Sequence, residues 1–149
     1  MRIIIDADAC PRKTKDICTK IALKYNLELI MVIDDSHKLI GKFRIIQVST
    51  SRNAVDLEIV KITCKDDIVI TQDYGLASMV INKSFATLHP NGTIYTNNNL
   101  ESLMFQKYIG DKVRREGGKI RGFFKKPKQE KISFAAILIK KIEEYLNIN

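Results

Sequence analysis

The stretch Ile3-Ile4-Ile5-Asp6-Ala7-Asp8-Ala9-Cys10-Pro11 decides the fold. Three β-branched apolar residues run on without polar alternation, the pattern of a strand buried on both faces. Two aspartates follow at once. Pro11 suits the first turn of a helix, where its missing N–H costs nothing. A buried strand that feeds a helix through a short acidic turn predicts a βα unit. Asp6 and Asp8 then stand at the strand tip, which is where open parallel sheets bind ligands.

Working outward, the same pattern recurs at Ile68-Val69-Ile70-Thr71-Gln72-Asp73. Strands are expected over about Arg2–Asp6, Leu27–Ile33, Arg44–Val48, Ile68–Thr71 and Phe85–Leu88. A short one at Thr93–Tyr95 follows the turn signal Asn91-Gly92. Asp34–His37 reads as a loop, in which Asp34 and Asp35 are either surface residues or line the rim of the site. The first helix buries Ile17, Ile21, Ala22 and Tyr25 and stops at Asn26. Asn53 caps a second helix over about Ala54–Thr63, with Val55, Ile59 and Ile62 inside. A third spans about Gly75–Asn82 and packs through Leu76, Met79 and Val80. A fourth runs from Asn97–Asn99 to Arg115 and ends at Gly117-Gly118. The last, about Glu130–Leu146, carries Phe134, Ile137, Leu138, Ile142 and Tyr145 on one stripe. Helices alternating with strands predict an α/β layer fold with a mainly parallel sheet.

The 149 residues suffice for one domain with a real core. No run approaches the ~18 apolar residues of a membrane span, and Met1-Arg2-Ile3 enters strand pattern at once, so neither a membrane segment nor a signal peptide is expected. Cys10, Cys18 and Cys64 are odd in number and lack a CxxC spacing, which disfavours a disulfide framework and structural zinc and fits a reducing cytoplasm. Cys18 and Cys64 read as core. Cys10, at a helix start, is either a small residue in a tight turn or a nucleophile with a lowered thiol pKa. His37 and His89 show no partner pattern.

The net charge of +8 is unevenly placed: residues 107–131 hold ten Lys/Arg against three Asp/Glu, while residues 1–106 hold 13 against 12. A cluster of this kind suits a polyanion such as nucleic acid, or is a solvated segment that keeps the protein soluble.

Two strands of one parallel sheet that end in aspartate bring Asp6 and Asp73 to one edge, and a crossover helix brings Asp56, in its first turn, to the same edge. Asp6, Asp8, Asp56 and Asp73 then converge. Crowded carboxylates raise one another's pKa, and a divalent cation removes the conflict. Oxygen-only ligands suit Mg²⁺ or Mn²⁺, and such a cation activates water and stabilises charge on a phosphoryl group. Thr71 and Gln72 are placed to orient such groups or simply to close the strand. The plainer alternative for each acid is a helix N-terminal role, where negative charge is favoured by ~0.3–1 kcal/mol.

At Asp6-Ala7-Asp8-Ala9-Cys10-Pro11 together with Ile68-Val69-Ile70-Thr71-Gln72-Asp73-Tyr74-Gly75-Leu76-Ala77, the chain resembles the bacterial YaiI/YqxD family over nearly its whole length. Ala54-Val55-Asp56…Ile59-Val60, Asn91-Gly92…Tyr95-Thr96 and Arg114-Arg115…Gly117-Gly118…Gly122 support the resemblance. It implies a single three-layer α/β/α PIN-like domain over residues 1–149, with a basic loop at about 117–129 and a C-terminal helix at about 130–146. It also implies Asp6, Asp8, Asp56 and Asp73 as the acidic cluster, with Cys10, Tyr74, Arg114 and Arg115 around it; Asn53 and Thr71 are further site-lining candidates. Arg114, Arg115, Lys119, Arg121, Lys125 and Lys126 are the expected nucleic-acid contacts. The chain departs from the family pattern at Asn53, where relatives usually carry an aspartate, and at Gly122-Phe123-Phe124-Lys125-Lys126-Pro127, where they usually read Gly-Pro.

The function expected is a Mg²⁺- or Mn²⁺-dependent nuclease or phosphodiesterase acting on RNA or DNA. One alternative is a non-catalytic nucleic-acid-binding or adaptor protein with a weakened site, which Asn53 favours. Another is a haloacid-dehalogenase-like phosphatase with Asp6 as nucleophile, which lacks a clearly placed lysine and acid pair. Oligomeric state and substrate stay open. The basic segment makes one outcome testable: nucleic-acid binding falls steeply between low and moderate salt, and a flat titration refutes that role.

Overall fold

The computed structural model describes residues 1–118 and 132–148. Five strands, β1 (Arg2–Asp6), β2 (Glu28–Asp34), β3 (Arg44–Val48), β4 (Ile68–Ile70) and β5 (Ala86–Leu88), form one sheet of order β3-β2-β1-β4-β5. Every neighbouring pair is parallel. The helices are α1 (Arg12–Tyr25), α2 (Ala54–Ile62), α3 (Tyr74–Val80), α4 (Asn97–Arg115) and α5 (Phe134–Ile148). None is long and apolar enough to cross a membrane.

The strand period of two divides the core. Ile3, Ile5, Leu29, Met31, Ile68 and Ile70 pack with Cys18 and Ile21 of α1 and Leu138 and Ile142 of α5. Ile4, Ile30, Val32 and Val69 point the other way, to Ile59 of α2 and Leu76 and Val80 of α3. The result is a three-layer α/β/α arrangement with β1 in the middle. Its three isoleucines are wholly buried, each worth ~1.5–3 kcal/mol of apolar burial. The β2–β3 connection holds no helix and crosses on the α1 side, where Leu39 and Phe43 pack. Outside α3, α4 packs around Ala77, Tyr95 and Leu100.

Local chemistry sets the ends of these elements. Asn26 takes a left-handed φ of 53° and stops α1. Thr96 Oγ1 accepts from Asn99 N–H while Asn99 Oδ1 accepts from Thr96 N–H, a capping box that starts α4. Ser133 Oγ accepts from Ala136 N–H, 3.2 Å, at the head of α5.

Several expectations are corrected. Asn53 precedes α2 with φ of 63° and makes no side-chain cap bond, so backbone shape and not capping explains it. Met79 is exposed, and Ala77 packs inward in its place, because α4 covers that side of α3. Cys64 is exposed: it follows the end of α2, and its thiol donates to Asp67 Oδ2 at 3.2 Å. Thr93–Tyr95 is no strand but a single antiparallel bridge, Leu88 to Ile94. Asp34 closes β2 and is not loop, and α5 begins at Phe134. The expected basic loop lies outside the described residues from Lys119 on, as do Glu130 and Lys131.

At the N-terminal edge of the sheet, Arg2 Nε and Nη2 donate to the two oxygens of Asp67 at 2.9 and 2.7 Å, and Nη2 also reaches Ile62 O at 2.8 Å. Cys64 N–H adds a bond to Asp67 Oδ2 at 2.8 Å. Burial alone raises the Asp67 carboxyl, but the guanidinium and the Cys64 donors overcome it and hold the group below the usual carboxylate range. A lowered folded-state pKa contributes stability above the ordinary carboxylate value that is lost as pH falls through the lowered one. Arg2→Ala is therefore expected to cost about 3 kcal/mol in urea denaturation at pH 7. The gap from the unmodified protein narrows below about pH 4. The exposed pair Arg114–Asp111 serves as control, with Arg114→Ala costing at most ~1 kcal/mol.

Candidate functional site

The carboxylates gather at the opposite edge, and strand parity explains why. Asp6 shares the parity of Ile4, and Asp34 that of Ile30 and Val32, so both side chains leave the sheet on the α2/α3 side. The register Ile5↔Ile70 sets Thr71 beside Asp6. The heads of α2 and α3 carry Asp56 and Asp73 to the same place.

Asp6 is 6% exposed, and its Oδ2 accepts from Thr71 Oγ1 at 3.0 Å. Burial raises its carboxyl to about 6; the Thr71 bond opposes the rise, and the charges of Asp56, Asp73 and Asp8 add to it. Asp56 is raised as well, first by burial, then by the charge of Asp73 beside it. Asp73 is anchored: its Oδ1 accepts from Gly75 N–H at 2.8 Å and Leu76 N–H at 3.2 Å, and Thr71 Oγ1 accepts from Asp73 N–H at 2.9 Å. The helix-capping role is thus filled by Asp73. Asp6 does not cap: the head of α1 is Pro11, with no side-chain cap bond.

Asp8 Oδ2 accepts from Asp34 N–H at 3.0 Å. Among the described residues, none donates a hydrogen bond to its buried Oδ1. His37 Nδ1 stands 3.2 Å away, but that ring atom bonds Asp34 Oδ1 at 3.0 Å and Ser36 Oγ at 3.1 Å. The bond to Asp34 and the charge of Asp8 raise the imidazole, and bonds from Ser36 and His37 lower Asp34. Asp8, Asp34 and His37 could each offer one donor atom to a shared ion. Asp34 takes the rim position, one of its two expected readings, and His37 joins it beyond the four aspartates. The signal for Asp34 was the same apolar run into an acid, Leu29-Ile30-Met31-Val32-Ile33-Asp34. That of His37 depends on β2 lying beside β1.

A hard divalent cation fits this donor set. The donors are carboxylate oxygens with one imidazole nitrogen, burial and then like charges raise two of the carboxyls, and among the described residues one buried oxygen of Asp8 accepts no hydrogen bond.

The remaining expected residues fall as follows. Cys10 lies beneath the site, buried, its thiol pushed up to about 12 by burial, the opposite of the lowering that a nucleophile at a helix start would need. Asn53 is exposed at the head of α2. Thr71 is wholly buried and bonded to Asp6. Tyr74 opens α3 and lines a groove of about 450 Å³ together with Arg114 of α4. Arg115 is exposed on α4 and is not among the residues lining that groove. Lys119, Arg121, Lys125 and Lys126 lie outside the described residues.

A family model described as "Uncharacterized BCR, YaiI/YqxD family" matches residues 4–144. The chain is 41% identical over 140 residues to a "UPF0178 protein" of Ruminiclostridium cellulolyticum, covering 93% of this chain and 90% of the relative. It is 38% identical over 145 residues to a "UPF0178 protein" of Alkaliphilus oremlandii, covering 97% and 92%. With one of Clostridium tetani it shares 43% over 120 residues, covering 80% and 81%. No solved structure matches the chain.

The raised Asp6 carboxyl yields a stability test. A folded-state pKa above the unfolded value means stability falls as pH rises from about 4 to about 6 and stays lower above that. Asp6→Asn in EDTA is expected to gain about 2 kcal/mol at pH 8 and little at pH 4, read by urea denaturation. A loss of stability at pH 8 overturns the crowding.

Proposed function

The chain belongs to the YaiI/YqxD family, and within it we propose a Mg²⁺- or Mn²⁺-dependent phosphodiesterase acting on RNA or DNA. The observation that carries this is the gathering of Asp6, Asp8, Asp56 and Asp73 at one sheet edge, with no lysine or arginine paired to any of them among the described residues. Uncompensated carboxylates are costly to assemble unless a cation is the intended partner.

The four aspartates would hold the cation, which supplies a lowered water pKa and charge neutralisation at a phosphoryl group. The chain prepares them in advance. Thr71 orients Asp6, Asp34 N–H orients Asp8, and two N–H groups of α3 orient Asp73. Side chains held this way need no reordering when the charge they meet develops. Arg114 of α4 lies on the neighbouring groove, where a flanking phosphate would be met.

A binding module without catalysis is the second reading, and Asn53 favours it by removing one carboxylate from the family pattern. The phosphatase alternative is weaker still: a carboxyl 6% exposed and protonated up to about 6 is a poor nucleophile.

The test is cleavage of short single-stranded RNA and DNA with Mg²⁺ or Mn²⁺, beside Asp8→Asn and Asp73→Asn. Asn caps helices as well as Asp does, so Asp73→Asn keeps α3. Both variants are expected to lose cleavage by about a hundredfold or more while still binding oligonucleotide. Salt-sensitive binding by all three proteins without cleavage by any would replace the phosphodiesterase with the binding module.

A further inference from the structure

The groove beside the acids has a composition of its own. One wall is the β4–α3 junction, Gln72 and Tyr74, which flanks Asp73. The other is a single face of α4: Leu103, Gln106, Lys107, Gly110 and Arg114 recur at three- and four-residue spacing. Gly110 puts no side chain into the space, and His89 completes the lining from beyond the end of β5.

Its rings are held in place. Tyr95 is buried, and its hydroxyl donates to Thr71 O at 3.0 Å. Tyr74 and His89 both pack edge-on against the Tyr95 ring, each with centroids 6.1 Å apart. His89 Nδ1 accepts from Asn91 N–H at 2.9 Å, so the Asn91-Gly92 turn fixes that imidazole. Two rings on a buried third make a rigid platform, and rigid rings bind at low entropic cost.

The lining offers two ring surfaces, two amides and two cations and, among the described residues, no carboxylate, although Asp73 follows Gln72 directly in the chain. An unpaired nucleotide asks for this set: a surface for the base, amides for its edge, cations for its phosphates. Bases inside a duplex are already stacked and paired, and withhold their faces. We infer that the groove is the subsite for an unpaired base next to the phosphate presented to the acids, which makes single-stranded nucleic acid the substrate class. Tyr74 and His89 take the base, while Lys107 and Arg114 take the flanking phosphates. This deepens the phosphodiesterase reading, and its test is separable from that reading.

The test measures binding in EDTA, where a cation-dependent activity is silent. The full chain is titrated against an eight-nucleotide single strand carrying 2-aminopurine and against its duplex, by anisotropy and by 2-aminopurine emission. The single strand is expected to bind at least about tenfold tighter, with its emission quenched by stacking. Tyr74→Leu is expected to lose about tenfold on the single strand, with the quench, and to leave duplex binding unchanged. Tyr74→Phe keeps the ring and retains both, which separates stacking from a folding defect. Lys107→Gln lowers both affinities and reduces the salt slope by about one. Equal binding of single strand and duplex, or Tyr74→Leu indistinguishable from the unmodified protein, overturns the subsite. Retained Tyr74-dependent binding in a protein that cleaves nothing overturns the phosphodiesterase alone. Cleavage with no effect of Tyr74→Leu on single-strand binding overturns the subsite alone.

Discussion

The position of the Asp6 carboxylate, last in the central strand and on the α2/α3 side of the sheet, is the constraint on which the rest of the site depends. β1 lies between β2 and β4 in parallel register, so Thr71 becomes its neighbour on one side, and the β2 end, with Asp34, approaches Asp8 on the other. The buried isoleucines specify that register. A slip by one residue would turn Ile4 and Asp6 toward α1 and α5, and set Ile3 and Ile5 on the wrong face. Packing in the core and placement of the acids are therefore one fact. No rearrangement of loops could move Asp6 without unmaking the two apolar layers.

Two buried aspartates at opposite edges of the sheet show how neighbours decide the outcome. Asp67 is 1% exposed at the N-terminal edge, and a bidentate Arg2 together with Cys64 holds it ionised below the usual range. Asp6, at the C-terminal edge, meets a hydroxyl and three acids, and holds its proton to about 6. Burial is common to both; among the described residues, Asp67 is paired with a guanidinium and Asp6 with no lysine or arginine. The first arrangement locks the start of β1 to the end of α2 and the approach to β4. The second is a local instability that the surrounding core is strong enough to carry, as functional carboxylates often require.

Much of this was legible from residue patterns. β1 and β3 match their expected bounds, and the strand-end aspartates announce the edge where the acids meet. These features are local: an unbroken apolar run that ends in an acid marks a buried strand and its tip without help from distant residues. What escaped depends on packing and hydrogen bonds that an apolar period does not reveal. Met79 follows the helical period of α3, but only the packing of α4 around Ala77 and Tyr95 decides which side is inside. Cys64 is a small apolar residue by type, yet it serves as a donor to Asp67. The Thr93–Tyr95 segment has β-formers, but after a tight turn it touches Leu88 in one bridge before the chain leaves for the capping box of α4. The groove draws on three separate stretches: Gln72, Tyr74 and Arg114 lie in motifs the sequence shows, but only the packing of α4 beside α3 and of His89 on Tyr95 brings them to one surface.

Thr71 joins the two halves of the site. Its hydroxyl binds Asp6, and its carbonyl accepts from Tyr95, the ring on which Tyr74 and His89 rest. Acids and aromatic platform are therefore fixed to one residue of one strand end, and their spacing cannot drift independently. The charges are kept apart as well. Arg114 pairs with Asp111 on its own helix and not with the strand-end acids, so the cationic wall does not neutralise the carboxylates across Gln72. A protein that only needed to be stable would gain by bringing those charges together. Keeping them separate leaves the acids available for a cation and the cations available for an anion, and a phosphodiester with its bound metal ion brings both at once.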